Sequence, residues 1–340
     1  MNKILTFFTR LLALSCCLVA VQSCKQSPVF EYEGDCSVHN KVRFTYEYNL
    51  KFADAFKSQV KSVDLYVFNH SNGGFVGRYS CDIDSYLEQN GLEVDLQVGD
   101  YDMTVWAWGD KTGRSFDIPQ MDPGDPASKL TAYMQRQKEL SGDVSDKNLV
   151  PLYYGNMASV GVTDEPGEHV IAVIDLMKDT NLVTVVLQHL SGEDVDVSRF
   201  RFQITDANGF LAHDNSLVVG SEVITYKPWE TKTGKAEYEV MGDGRVINTA
   251  VAEFTTSRLM DKDNMRLTIF NDEDKEVLSI PLVDYALMVK GYYPVASNQE
   301  YLDRQDDYSF IFFLDEKATW VNSRIIVNSW VIVKNDQELQ

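Results

Sequence analysis

Cys24 is the residue of this 340-residue chain whose setting most directly implies chemistry. Lys3 and Arg10 give a positive start, residues 11–21 supply an apolar run, and Gln22 and Ser23 lead into the cysteine. Charge, then oil, then a small residue is the order of a secretory leader. A cysteine directly behind it is the place where a lipoprotein leader is cut, the thiol being acylated before cleavage. Residues 1–23 therefore read as a lipoprotein signal peptide and Cys24 as the lipidated first residue of the mature chain. The apolar run is shorter than the roughly 20 residues a bilayer span needs, so attachment would rest on acyl chains. Each buried CH₂ contributes about 0.8 kcal/mol, and one chain is marginal where two or more hold. Ordinary signal cleavage with a soluble secreted product is the competing reading; Cys16 is the weaker lipidation site, because the hydrophobic segment before it is shorter.

The other reactive residue types do not assemble into motifs. His39, His70, His169, His189 and His213 are too widely spread for two to share a helix turn, and no His-Glu-x-x-His occurs. Behind Cys24 only Cys36 and Cys81 remain, so no metal site is expected; on an oxidising export route they are the candidates for a disulfide, with two buried free thiols as the alternative. Gly-x-Ser-x-Gly and Gly-x-Gly-x-x-Gly are absent. Thr233, Gly234 and Lys235 sound like a phosphate loop, but Trp229 stands where its first glycine belongs and Ala236 replaces the magnesium-binding hydroxyl. No catalytic residue and no cofactor are expected, and the chain does not read as an enzyme.

Acids cluster at Asp261 and Asp263, at Asp272, Glu273 and Asp274, and across 303–307. Carboxylates bind calcium, but none of these segments has the loop glycine and terminal glutamate of an EF-hand, and they read as solvated turns. A glycosidase pair is defined by separation in space, which 51 acids leave unchosen. Trp106 and Trp108, two apart, share one face of a strand; that face is either core or a sugar-stacking platform, and core is the reading adopted.

These residues need a scaffold, and the pattern is one of strands. A formal charge of −20, with two fewer cations once Lys3 and Arg10 leave, repels nucleic acid and anionic headgroups alike. The chain beyond residue 23 is longer than one core usually supports, so two domains are expected. Residues 24–35 lack a period and carry Pro28 and Gly34, a lipidated tether. Segments 38–48 and 60–68 alternate or run apolar, 70–74 is a glycine turn, and 92–98 with 101–108 reads as a hairpin. Residues 110–148 break the pattern as a long connection with a short helix across 129–140. Strand character returns at 149–157, and the polar cluster 163–167 (TDEPG) marks the boundary between domains at 36–165 and 166–340. The second half offers strands at 169–176, 181–190, 250–257, 265–270, 308–314 and 325–333, a hairpin turned at 206–209, and a short helix at 281–289. Many short strands with little helix argue for antiparallel sandwiches.

Several blocks then occur in order: 42–49 (VRFTYEYN), 63–68 (VDLYVF) before a glycine turn, 99–108, 181–188 (NLVTVVLQ), 204–209 (ITDANG), 253–259 (EFTTSRL), 298–303 (NQEYLD) and 326–330 (IVNSW). Together they resemble the FimB/Mfa2 family of fimbrial anchor lipoproteins of Bacteroidota. The resemblance implies an all-β protein of two transthyretin-like, antiparallel Greek-key sandwiches with minor helix in loops. It also implies a place at the fimbrial base, where a pilin subunit is held to the outer membrane and growth of the fimbria is limited. A surface glycan-binding lipoprotein is the alternative, and a secreted hydrolase the third class. A sandwich edge could accept an extended segment of a partner; the first strand (38–48) and the last (325–333) are the candidate edges, the latter apolar on both faces and therefore expected to be structural.

Overall fold

Alternating apolar residues produce strands along most of the chain, of which the computed structural model describes residues 37–240 and 243–333. The first half contains β1 (Val38–Thr45), β2 (Ser62–Asn69), β3 (Phe75–Asp82), β4 (Leu92–Val94) and β5 (Gly99–Trp108). Four short strands come next, β6 (Phe116–Asp117), β7 (Ala132–Met134), β8 (Gln137–Glu139) and β9 (Gly142–Ser145), and then β10 (Leu152–Val162), β11 (Gly167–Asp175) and β12 (Met177–Lys178). Helices α1 (Phe56–Gln59) and α2 (Ile83–Gln89) lie between strands here. The second half holds β13 (Asn181–His189), β14 (Phe200–Asp206), β15 (Phe210–Leu211), β16 (Ile224–Tyr226), β17 (Glu230–Val240) and β18 (Asp243–Thr256). It continues with β19 (Arg266–Asn271), β20 (Glu276–Pro281), α3 (Leu282–Leu287), α4 (Asn298–Arg304), β21 (Asp307–Leu314), β22 (Trp320–Val327) and β23 (Trp330–Val333).

The fold is all-β, built as sandwiches. A three-stranded sheet, β11-β1-β4, and a five-stranded sheet, β12-β10-β5-β2-β3, enclose a first core. Two six-stranded sheets, β17-β18-β13-β21-β22-β23 and β20-β19-β14-β16-β9-β8, form the second sandwich, and β15-β7-β6 make a small fifth sheet. Residues 39–164 and the described residues from 168 onward fall in one compact unit.

Period-two geometry decides which side chains meet. On β2, Val63, Leu65 and Val67 enter the first core with Met103, Val105 and Ala107 of β5. The intervening Tyr66, Phe68, Trp106 and Trp108 point to the other face, where Phe116, Met121, Leu130, Ala132 and Met134 cover them. The five-stranded sheet is thus buried on both sides, which is why β2 is buried over seven of its eight residues. In the second sandwich Tyr308, Phe310 and Phe312 stack along one strand, their centroids 6.5 and 6.3 Å apart. Gly155 on β10 permits a close crossing: an added Cβ would lie 2.8 Å from Leu176 and 2.9 Å from Ile174.

Several local expectations change. Residues 92–98 and 101–108 do not form a hairpin; β4 pairs with β1, and β5 lies between β2 and β10. The turn after β14 forms, but β15 pairs with β7 rather than with β14. A 3₁₀ turn ends at Lys129, and the residues up to 140 hold β7 and β8 instead of a helix, because Leu130, Ala132 and Met134 are buried at alternate positions. Two pairs run parallel, β13 with β21 and β9 with β16, against the antiparallel pattern of the rest. Ala172, Ile174 and Leu176, beyond the boundary expected at 165/166, belong to the first core. Strand β9, from before that boundary, pairs with β16.

Candidate functional site

The residues singled out for chemistry are dispersed or spent on packing. Cys24 and Cys36 lie outside the described residues. Cys81 sits on β3, half-buried against the first core, where burial pushes its thiol up to about 12 and keeps it protonated. Trp106 and Trp108 are 0% and 1% exposed, so their shared face is core and offers no stacking platform. The Trp108 indole N–H donates to Asp64 at 3.2 Å, and Arg114 lies over its ring at 4.6 Å. His39 pairs with Glu93 and His70 with Asp102, each at 2.7 Å. Among the described residues no group of three or more His, Cys, Asp or Glu side chains is placed to hold a metal. Thr233, Gly234 and Lys235 lie in the middle of β17, an extended strand that cannot cradle phosphate.

The acidic segments divide. Asp272 and Asp274 form surface ion pairs with Arg199 and Arg201, each at 2.9 Å. Asp303, by contrast, is buried and grips Arg258 through both oxygens at 2.9 Å. Beside them lies Asp179, fully buried, which accepts a hydrogen bond from Asn215 at 2.8 Å and sits 3.9 Å from Arg258. Burial moves the Asp179 carboxyl up to about 7, against the opposing pull of Arg258. Asp303 and the adjacent Arg304 belong to α4, a helix absent from the sequence-based expectations. Its signal was a capping box: the Ser297 hydroxyl accepts from Glu300 N at 3.0 Å while Glu300 accepts from Ala296 N at 2.7 Å. Arg304 reaches back to the first half, its guanidinium 4.0 Å over Tyr48 and 4.8 Å over Phe52, and donates to the Glu47 carbonyl at 3.3 Å. Helix α4 therefore ties the 46–52 turn to the second sandwich.

Two exposed aromatic side chains, Tyr292 and Trp330, meet at one sheet edge. The expected last strand is a hairpin: β22 buries Ile325 and Val327 completely, Asn328 and Ser329 turn with positive φ, and β23 returns along the outside. Asn328 fixes the turn by exchanging hydrogen bonds with Ser309, accepting at 2.8 Å and donating at 2.9 Å. Strand β23 ends the sheet order, with Trp330 and Val331 at 41% and 51% exposure. Trp330 stacks on Tyr292, centroids 3.8 Å apart and planes within 1°. The opposite edge, β17, carries Lys232 and Lys235, charges that blunt an edge against pairing; residues 330–332 of β23 carry none. The other candidate edge, β1, is no edge, since it lies between β11 and β4. No helix among the described residues is long and apolar enough to cross a membrane.

Comparison with known proteins gives the arrangement a family. A candidate polysaccharide-binding protein from Bacteroides thetaiotaomicron is 31% identical, with a TM-score of 0.74 over 88% of this chain and 99% of that one. A candidate adhesin from the same organism is also 31% identical, with a TM-score of 0.75 over 89% of this chain and 100% of that one. The fimbrial anchor protein Mfa2 from Porphyromonas gingivalis shares the fold at 15% identity, with a TM-score of 0.60 over 88% of this chain and 100% of its own. No curated protein matches the sequence significantly. The family model for the fimbrillin-A associated anchor proteins Mfa1 and Mfa2 matches residues 32–336, and the chain belongs to that family.

Proposed function

We propose that the protein is an outer-membrane lipoprotein, held by acyl chains on Cys24, that anchors a fimbria by binding its basal pilin subunit and limits fimbrial length. The observation that carries this reading is the anchor-family match over residues 32–336, lying directly behind a leader that ends in a cysteine. Among the described residues β23 is the last strand of its sheet, which supports a means of binding: backbone groups would pair with an extended pilin segment, and the exposed Trp330 and Tyr292 would anchor it. Such a protein works through its surface rather than by turnover. Replacing Cys24 by Ala tests the reading: the variant should leave the membrane fraction and shed fimbriae into the medium. Unchanged membrane retention would defeat lipid attachment, and fimbriae of normal number and length in a strain lacking the protein would defeat anchoring.

A second reading, a surface glycan-binding lipoprotein, is favoured by the exposed Tyr292–Trp330 stack and by the polysaccharide-binding description of one relative. Binding of an oligosaccharide that is lost in Trp330→Ala, with pilin capture unchanged, would select it.

A further inference from the structure

Tyr66 and Arg78 are register partners on β2 and β3, so their side chains share the sheet face that residues 116–134 cover. The cover is incomplete. A cleft of about 510 Å³ remains between Tyr66, Phe75 and Arg78 on one side and residues 118–121 on the other. Tyr66 is only 3% exposed, yet its hydroxyl makes no hydrogen bond among the described residues and is not sealed from solvent, so it opens into this cleft. Burial pushes that phenol up to about 12, and it remains a hydrogen-bond donor at neutral pH.

Arg78 is oriented rather than neutralised. Its Nη2 donates to Asp64 at 2.9 Å and its Nε to the Ser80 hydroxyl at 3.0 Å, which leaves Nη1 without a partner among the described residues. Asp64 is buried and also accepts from Ser80 at 2.7 Å and from the Trp108 indole at 3.2 Å. A second guanidinium, that of Arg114, feels the same carboxylate but makes no ion pair among the described residues; it donates to Ser62 at 3.1 Å and to the Gly113 carbonyl at 2.8 Å. Burial lowers the Arg114 pKa against the pull of Asp64, and repulsion from Arg78 adds to the drop. Asp110, another acid nearby, is exposed and accepts from Thr112 N and Gly113 N in its own turn. Two guanidinium groups thus share one buried carboxylate, and a local positive charge remains on a chain whose formal charge is −20.

We propose that this cleft binds a hexuronate, a pyranose ring that carries a carboxylate. The free N–H groups of a planar guanidinium match a carboxylate and supply the charge. The Tyr66 hydroxyl and the Gln120 amide each donate and accept, as ring hydroxyls require, and Ile118, Pro119 and Met121 supply an apolar wall for the C–H face of the sugar. The volume falls within the roughly 300–1,000 Å³ of small-molecule pockets. Neutral sugars lack the charge that Arg78 would pair, and simple carboxylates lack the hydroxyls that Tyr66 and Gln120 would meet. The cleft borders β2 and β3, so uronide binding and pilin capture at β23 can fail separately.

The test titrates the full chain with methyl α-D-glucuronide and methyl α-D-galacturonide, with the two parent methyl glycosides and N-acetylglycine as controls, by saturation-transfer NMR and calorimetry. One uronide or both should bind at least about tenfold more tightly than any control. Arg78→Gln removes a charge-assisted hydrogen bond and should weaken binding by about tenfold or more; Tyr66→Phe removes one neutral bond and should weaken it about fivefold. Tyr66→Phe keeps the test decisive if Arg78→Gln does not fold, because the lost hydroxyl has no partner in the described protein. Arg199→Gln, at an exposed arginine of the second sandwich, should bind as the wild type does. Binding of neither uronide, equal binding of N-acetylglycine, or unchanged affinity in either folded cleft variant would overturn the assignment.

Discussion

Arg258 and Asp303 form a two-pronged ion pair, Nε to Oδ1 and Nη2 to Oδ2, both at 2.9 Å. The first residue comes just after β18 and the second lies on α4, so the pair closes a contact between segments 45 residues apart. Both belong to blocks that carry the family resemblance, 253–259 and 298–303, and the fold gives that co-occurrence a physical cause. Breaking a buried pair leaves an uncompensated charge, whereas removing both charges can be nearly neutral. Asp303→Ala is expected to cost about 3–5 kcal/mol, and Arg258→Met with Asp303→Leu less than either single change. Urea denaturation of the three variants measures this; additive losses would show that the two side chains do not act as a pair.

Asp179 makes stability depend on pH in the direction opposite to an ordinary salt-bridged acid. Its carboxyl is raised from 3.8 to about 7 in the folded chain, facing Arg258, Asn215 and Asp303. Between those values the folded state keeps a proton that the unfolded state has released, so this group's contribution is complete below about pH 4 and is lost as pH rises through 7. The difference is on the order of 4 kcal/mol. Asp179→Asn accepts the same hydrogen bond without a charge and should flatten the decline between pH 4 and 7. Parallel stability curves for variant and wild type would refute the assignment.

Trp108 distinguishes core from platform. Trp108→Ala should destabilise the protein by about 3–5 kcal/mol, the cost of a large buried deletion, and Asp64 would lose its indole donor. Thermal melts should show the loss directly. An unchanged melt with a selective loss of sugar binding would reverse the interpretation of this face.

How much of this was legible in the sequence depends on the range of the interactions. Strand β13 could be read directly, because its burial alternates at every residue, and α3 could be read from the apolar segment behind Pro281. Strands β6 to β9 could not, since two to four residues carry almost no period and two of them, β7 and β9, pair with β15 and β16 far along the chain. The same non-local pairing explains why 92–98 and 101–108 looked like a hairpin: each strand has a good local pattern, and only the sheet order reveals that they belong to different sheets. The Arg258–Asp303 contact was invisible for the same reason. Composition shows that acids are present, not which of them burial brings face to face.

Cys36 and Cys81 are proposed to form a disulfide in the exported protein. The Cys81 thiol, half-buried beside the first core, is too basic to be reactive once reduced. Closing the intervening loop should stabilise the fold by about 3–4 kcal/mol on the chain-entropy account. Peptide mapping without reductant should find the linked pair, and reductant should lower the melting temperature of the wild type but not of Cys81→Ser. Two free thiols in protein recovered from the cell envelope would refute the bond.

The C-terminal hairpin separates folding from binding. Strand β22 contributes Ile325 and Val327 to the core, both fully buried, and pairs with β21 at Phe310 and Phe312. Strand β23 contributes exposed Trp330 and Val331 at the sheet edge. Deleting residues 325–333 should therefore abolish the cooperative thermal transition. Ending the chain after Ser329 should preserve it, because Asn328 still fixes the turn against Ser309 and β21 keeps both neighbours. The shorter truncation would, however, expose β22, whose Ile325, Ile326 and Val327 make it an edge prone to association. Concentration-dependent sedimentation should detect that association, and Trp330→Lys in the full-length chain should avoid it while removing the aromatic anchor. Pilin capture lost in Trp330→Lys at unchanged melting temperature would locate binding at β23; capture retained there would move the partner to another edge.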